Sequence, residues 1–335
     1  MNKRKTIITF FVASAALLLL FLANLVYGSV RIPAADVTRI LFGNFIGKEA
    51  WRQIVLSSRL PQAVTALLAG SSLAASGLLL QTLFKNPLAG PSILGVSDGA
   101  NLGVAVSMIY FSASSYIANI FAAFIGAAMV LFIIIAFSKK VQNNTMLLII
   151  GIMVGYLASS AISILNYHAS ADKVQQFVMW GMGDFGSVSS EKLPYFASFS
   201  LIGLIVSIML IKPLNALLLG ESYASNLGIR VKRARLLILV CTGILTAATT
   251  AFCGPVSFIG LAVPHIARLL LGSSNHKALL PATILFGGCI ALLCNLLTVV
   301  AGGGSVLPLN SVTPLIGAPV IIYVILNRKN IHYFN

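Results

Sequence analysis

The sequence predicts an all-α polytopic membrane protein, a single integral domain over residues 1–335 with about ten transmembrane helices. Three observations predict it. Hydrophobic residues make up 58% of the chain and charged residues 9%, with a mean hydropathy of +0.98. A soluble domain of this length has no interior for so much apolar surface, whereas lipid accepts it directly. The apolar residues fall in long runs separated by short loops, and crossing a ~30 Å hydrocarbon core takes about 20 such residues. Basic residues gather in every second loop, the pattern that orients helical membrane proteins. The spans are helices because backbone polar groups in lipid must be satisfied within their own segment, and the runs lack the dyad period of a barrel.

In chain order the runs are 7–27, 61–82, 92–111, 115–137, 145–167, 191–211, 233–252, 257–271, 278–300 and 312–327. The first follows Lys3, Arg4 and Lys5 and resembles a secretory signal, but no A-x-A site follows at the right distance, so it reads as a span. Segment 28–58 is amphipathic, carries Pro33 and Trp51, and predicts short helices on the outer interface. The second span is dense in small residues from Gly70 to Gly77, which let helices approach closely, and therefore belongs in the middle of the bundle. The third contains Asp98, the one acid placed within a span. An intramembrane acid is a functional candidate, although amides at a helix start also stabilise an anion there.

The fifth span is polar and small. Ser159, Ser160, Ser163 and Asn166 are the expected lining of a pathway, while Gly151 and Gly155 fit either lining or helix packing. Segment 168–190, with Trp180 in its middle, predicts an interfacial helix followed by a turn. Segment 214–235 reads as a short amphipathic helix, a turn at Gly228 and a basic run: an ordinary juxtamembrane helix, or a docking helix for a cytoplasmic partner. The eighth span is short and contains Pro264, which predicts a half-span or a tilted one.

With the N-terminus placed in the cytoplasm, 15 of the 22 basic residues fall on the inner side, and both termini are expected there. Five of the seven outer ones lie in 28–60, a long segment that obeys the rule less strictly. The formal charge of +15 is thus a topological signal with attraction to anionic membrane lipid. Nucleic acid is not expected as a partner, because the charges are scattered among short loops.

Catalysis has little material. There are seven acids, four histidines (168, 265, 276 and 332) far apart in sequence, and no H-E-x-x-H. Cys241, Cys253, Cys289 and Cys294 lack metal or redox spacing and are expected to be buried and inert. Without a G-x-x-x-x-G-K-[ST] motif the chain cannot cradle ATP itself, so no cofactor, metal or enzymatic role is expected of it. Ion-coupled carriers bury several acids or histidines as relays; one buried acid disfavours a carrier or channel working without an ATPase, which stands as the rival. LAGPSILG (88–95) and FCGPVSFIG (252–260), expected at opposite membrane faces, read as an inverted internal repeat with interrupted helices, a transporter feature.

From about Arg59 to the C-terminus the chain resembles the FecCD family, the permeases of binding-protein-dependent importers for vitamin B12, haem and ferric siderophores. The resemblance rests on RLPQ (59–62), QTLFKNPLAGPSILGVSDGANLG (81–103), WGMGDF (180–185), LGESYASNLGI (219–229), GPVSFIGLAVPHIARLL (254–270) and TPLIGAPVIIYVI (313–325), in that order. It implies a type II ABC importer permease of ten helices per subunit in the inner membrane, working as a homodimer. It further implies two cytoplasmic ATPase subunits, which hold the ATP and magnesium, and a periplasmic or lipoprotein substrate-binding protein.

Carried over by position, 214–232 resembles the family's coupling helices, with Gly220, Glu221, Ser222, Tyr223, Ala224, Asn226, Leu227 and Gly228 at the ATPase. Asn86, Leu88, Asn144 and Thr145 match the cytoplasmic gate. Arg59 matches the first arginine of the family's R-L-P-R, which docks the binding protein. Two positions depart from the pattern: Gln62 replaces the second arginine, and Val299 stands where some members place another. Arg59, Arg52 or other loop residues would then have to dock the partner. The leading substrate is a ferric siderophore, with haem and cobalamin as alternatives; Tyr167 and His168 sit at the expected outer mouth.

Overall fold

The computed structural model describes residues 3–43, 47–111, 115–141, 144–302 and 306–326. Among the described residues every regular element is helical. The helices are α1 (Lys3–Val26), α2 (Ala34–Leu41), α3 (Glu49–Gln53), α4 (Leu60–Phe84), α5 (Val96–Ala105), α6 (Tyr116–Lys140), α7 (Asn144–His168) and α8 (Ala171–Gly181). They continue with α9 (Leu193–Met209), α10 (Ile211–Leu218), α11 (Glu221–Asn226), α12 (Val231–Cys253), α13 (Ile259–Leu271), α14 (His276–Val300) and α15 (Leu309–Leu326).

Each of the ten apolar runs coincides with a helix. Six are long and apolar enough to cross a membrane alone, and α9 with α10 makes a seventh if the pair, bent by 51°, is one span. The remaining runs form the shorter α5, α13 and α15. Length therefore accounts for six or seven crossings, fewer than the ten expected. The second run also starts earlier than predicted. α3 passes through a π-helical stretch, Ile54–Arg59, into α4, so one helix runs from Glu49 to Phe84. Only α2, with Val37 and Ile40 buried, remains a separate amphipathic helix of the 28–58 segment.

The small-residue helix α4 lies at the centre, as its composition predicted, with nearly every residue from Ala69 to Phe84 buried. Glycine pairs set the spacing. A Cβ at Gly70 would overlap the Gly287 carbonyl of α14, and α5 meets α6 the same way through Gly99 and Gly126. Without a hydrophobic drive between helices in lipid, such close approach supplies the dispersion contacts that hold them.

α5 and α13 are half-length helices, each following a Gly-Pro segment without regular structure. The chain leaves α4 at Lys85, in a left-handed conformation (φ 46°), and climbs through Pro87 to Pro91 before α5 begins. Gly95, at the start of α5, lies against Gly151 and Gly155, well inside α7. Likewise α12 ends at Gly254 (φ 73°), and α13 starts beside Gly77 in the body of α4. Pro264, inside α13, has no N–H for the Gly260 carbonyl. That carbonyl occupies the space a Gly77 side chain would need. Gly260 in turn packs on Pro91, so the two Gly-Pro segments meet inside the bundle. Irregular backbone at membrane depth survives where protein surrounds it, and paired half-helices match the inverted repeat expected from the sequence.

Candidate translocation and coupling site

At one end of the bundle the single amphipathic helix expected over 214–229 is two. α10 and α11 are separated by Gly220, whose φ of 117° suits glycine alone. Ala224 is fully buried beneath α11, and its N–H bonds the Gly220 carbonyl at 2.9 Å. Glu221 turns back to α12, where Arg235 Nη2 donates to its Oε1 at 2.7 Å. Ser222, Asn226 and Gly228 are exposed, and Tyr223 and Leu227 present 51% and 58% of their surface outward. The element is anchored on one side and offers two large apolar side chains on the other, the anatomy of a docking knob.

Beside it lies the turn after α4. Asn86 Oδ1 accepts the Leu88 N–H at 2.9 Å, a closed Asx turn that leaves Leu88 exposed. Thr145, in the first turn of α7, is exposed as well. The side chain of Asn144 lies outside the described residues.

α7 is packed over its first half and exposed further along. Gly151 and Gly155 pack on the start of α5; a Cβ at Gly155 would stand 2.6 Å from Asp98 Oδ2. The G-x-x-x-G is thus a packing face, and the half-buried Asp98 sits in the first turn of α5, where helix amides favour an anion. Ser159 and Ser163 continue the row of Gly151 and Gly155, one and two turns beyond the contact with α5, and with Ser160 they are exposed, among Tyr156, Leu157 and Ile164. Asn166 is half-buried, and its Oδ1 is buried without a hydrogen-bond partner.

At the other end, Arg59 is not on the surface. The residue is 5% exposed, and its guanidinium donates to the carbonyls of Leu25 at 2.9 Å, Val26 at 2.7 Å and Val30. It caps the C-terminus of α1, where a cation meets unpaired carbonyls. Gly28 is needed in the returning strand of chain, since a Cβ there would lie 2.5 Å from Arg59 Nη2. The docking role carried over from the family motif therefore meets a geometry that aims the residue inward. Arg52 is the solvent-facing alternative, its side chain 58% exposed. Gln62 belongs to a buried amide chain: it donates to Asn295 Oδ1 at 3.1 Å, and Asn295 donates to Asn24 Oδ1 at 2.7 Å.

The helix and turn expected over 168–190 are present as α8 and the turn after it. That turn closes the end of α12: the Asp184 N–H bonds Cys253 O at 2.8 Å, and Ser187 Oγ bonds Phe252 O at 2.8 Å. Asn310 holds the re-entrant segment, donating to Pro255 O at 2.7 Å and accepting from the Ser257 N–H at 3.1 Å. Sequence reasoning missed Asn310, Asn295 and Asn24. For Asn24 and Asn295 the only signal was an amide inside an apolar run, which says that a partner exists without saying which; Asn310, in the loop before the last run, gave none. The four cysteines are free and buried. Among the described residues no cluster of His, Cys, Asp and Glu could hold a metal.

Comparison with known proteins follows the same lines. A family model described as the FecCD transport family matches residues 16–327. The hemin transport system permease protein HmuU of Yersinia pestis is 33% identical over 93% of this chain and 95% of its own length. The vitamin B12 import system permease protein BtuC of Klebsiella pneumoniae is 34% identical over 81% of this chain and 82% of its own. A solved metal-chelate type ABC transporter in an inward-facing conformation superposes with a TM-score of 0.83, at 30% identity, over 95% of this chain and 98% of that one.

Proposed function

The chain belongs to the FecCD transport family, and from that premise we propose that it is the permease subunit through which a ferric siderophore enters the cell. It is a membrane-embedded component of an ABC importer for haem, vitamin B12 or iron chelates. Two copies form the pathway between them, lined by the serine face of α7. ATP is bound and hydrolysed on two separate cytoplasmic subunits that grip α10 and α11. A periplasmic or lipoprotein binding protein delivers the chelate to the opposite face, meeting Arg52 and neighbouring loop residues, with Arg59 holding the segment that presents them. Asn86, Leu88, Asn144 and Thr145 close the cytoplasmic end.

The observation that carries the reading is the α10–α11 pair: Tyr223 and Leu227 point outward on a rigidly seated element of a chain that has no phosphate-binding loop of its own. Energy must then arrive by contact. Closure of the ATPase pair shifts the helices, and the helices open one gate while shutting the other. The test is copurification of a cognate ATPase subunit with the wild-type chain and with the pair Tyr223→Ala and Leu227→Ala. Retention by wild type and loss by the pair is the expected result.

Haem or cobalamin is the second reading, favoured by the names of the two relatives. It is settled by titrating ferric siderophores, haemin and cobalamin into the neighbouring binding protein, because the permease cavity takes what that protein delivers.

A further inference from the structure

The interior end of α4, next to α10, holds an unusual concentration of buried polar side chains. Gln81, Thr82, His265, Arg268 and His276 are each 4% exposed or less. Ionisable groups inside a membrane bundle are costly and are kept where they act. Their hydrogen bonds, joined through the backbones of α4 and α13, connect α10 to the turn at Asn86–Leu88.

The first link leaves α10. Asn215 Oδ1 accepts the His276 backbone N–H at 2.9 Å, which fixes that atom as the acceptor. The His276 Nδ1–H therefore donates to the same oxygen at 3.0 Å. In the uncharged ring Nε2 then accepts the Thr82 hydroxyl proton at 2.8 Å, in competition with the Leu78 carbonyl at 2.9 Å. The next residue of α4, Gln81, receives Arg268 Nη1 on its Oε1 at 2.6 Å and donates to Leu261 O at 3.2 Å, both on α13. One helical turn from Leu261, His265 Nε2 donates to the Pro87 carbonyl at 2.7 Å. Pro87 lies between Asn86 and Leu88. Lys85, the first residue of that turn, has its Nζ near Gly220, where α10 and α11 join.

We propose that Asn215, His276, Thr82, Gln81, Arg268 and His265 form a polar relay that ties the position of α10 to the position of the Asn86–Leu88 turn. His276 and Thr82 are its positioning residues: neither faces the pathway or the ATPase, and they act through α4 and α13. Apolar packing alone would let α10 slide over α14 and α4. Directional bonds make α10, the start of α14 and the end of α4 move as one body. The half-length α13 carries that movement to Pro87. The relay deepens the permease reading and rests on it.

The test uses the complete complex with its ATPase subunits, with Leu88→Cys as reporter. The four native cysteines are buried, so a thiol crosslinker reports position 88 against its symmetry mate. The measured quantity is the ratio of crosslinked fractions in ATP and in ADP. His276→Leu and Thr82→Val, the latter keeping the side chain's shape, are expected to bring the ratio toward one by about fivefold or more, the scale of a typical coupling term. ATPase binding should persist. His276→Gln should restore the response, because its amide can donate to Asn215 and accept from Thr82 at once. A contribution to folding alone would lower yield and leave the ratio unchanged. A wild-type ratio that responds to nucleotide and is retained in both variants overturns the relay and leaves the permease reading standing. A wild-type ratio of one overturns the gate assignment and the relay with it.

Discussion

Arg59 shows how far a single residue can be read from a motif. Its position in R-L-P-Q identified it, but its burial depends on where the chain returns after α1, a contact spanning 34 residues. No local pattern encodes that return. With three carbonyls depending on one guanidinium, Arg59→Met should cost on the order of 3 kcal/mol and lower the melting midpoint of the solubilised permease by several degrees. Gly28→Ala should act in the same direction by displacing the guanidinium. Arg52→Glu should leave the midpoint alone and slow binding-protein association about tenfold at low salt, a gap that closes as the Debye length shortens. Surface plasmon resonance at two ionic strengths separates the two roles. His265 and His276 were visible as residues but not as a site. They are far apart from Thr82 and Pro87 in sequence, and only the packing of α13 and α14 on α4 brings them there.

At the scale of elements, composition was a good guide wherever a helix faces one kind of surroundings. The small-residue run of α4 announced a central helix and Pro264 a half-length α13, while α5 was expected as a full span. Less legible was the junction of α3 and α4, where Ser57, Ser58 and Arg59 interrupt the apolar run while the backbone continues as a π-helical stretch. The division of 214–229 into α10 and α11 rests on one glycine conformation, and periodicity over so few residues does not resolve it.

Two substitutions probe these elements. Gly77→Ala should push α13 off α4, because the Gly260 carbonyl freed by Pro264 fills that space; Gly181→Ala, with open space around it, is the control. The expected outcome is loss of transport in the first and wild-type transport in the second, by uptake in proteoliposomes. Ala224→Pro removes the bond from the Ala224 N–H to Gly220 and puts a ring into a buried site, at about 3 kcal/mol or more. Glu221→Lys sets two cations together where Arg235 now has a carboxylate. Each should release the ATPase on copurification while the permease stays inserted and dimeric.

For the molecule as a whole, the membrane class and the helical fold were readable from composition and loop charge. The number of crossings was not, because half-length helices and a bent pair look like ordinary spans in hydropathy. Of the candidate site, the structure brings the 214–229 segment and the turn at Asn86–Leu88 to one end of the bundle and leaves the serines of α7 exposed. What α7 faces was not readable, since a mixed serine and aromatic surface does not say what lies against it. The central claim is that this chain conducts a bulky chelate under the power of a separate ATPase. The most direct measurement is uptake of labelled ferric siderophore, haemin and cobalamin into proteoliposomes holding the permease and its ATPase, with the loaded binding protein outside. The account predicts accumulation that needs ATP at the ATPase and vanishes when its phosphate-binding lysine is replaced. Accumulation by the permease alone, driven by a proton or sodium gradient and indifferent to ATP, would contradict it.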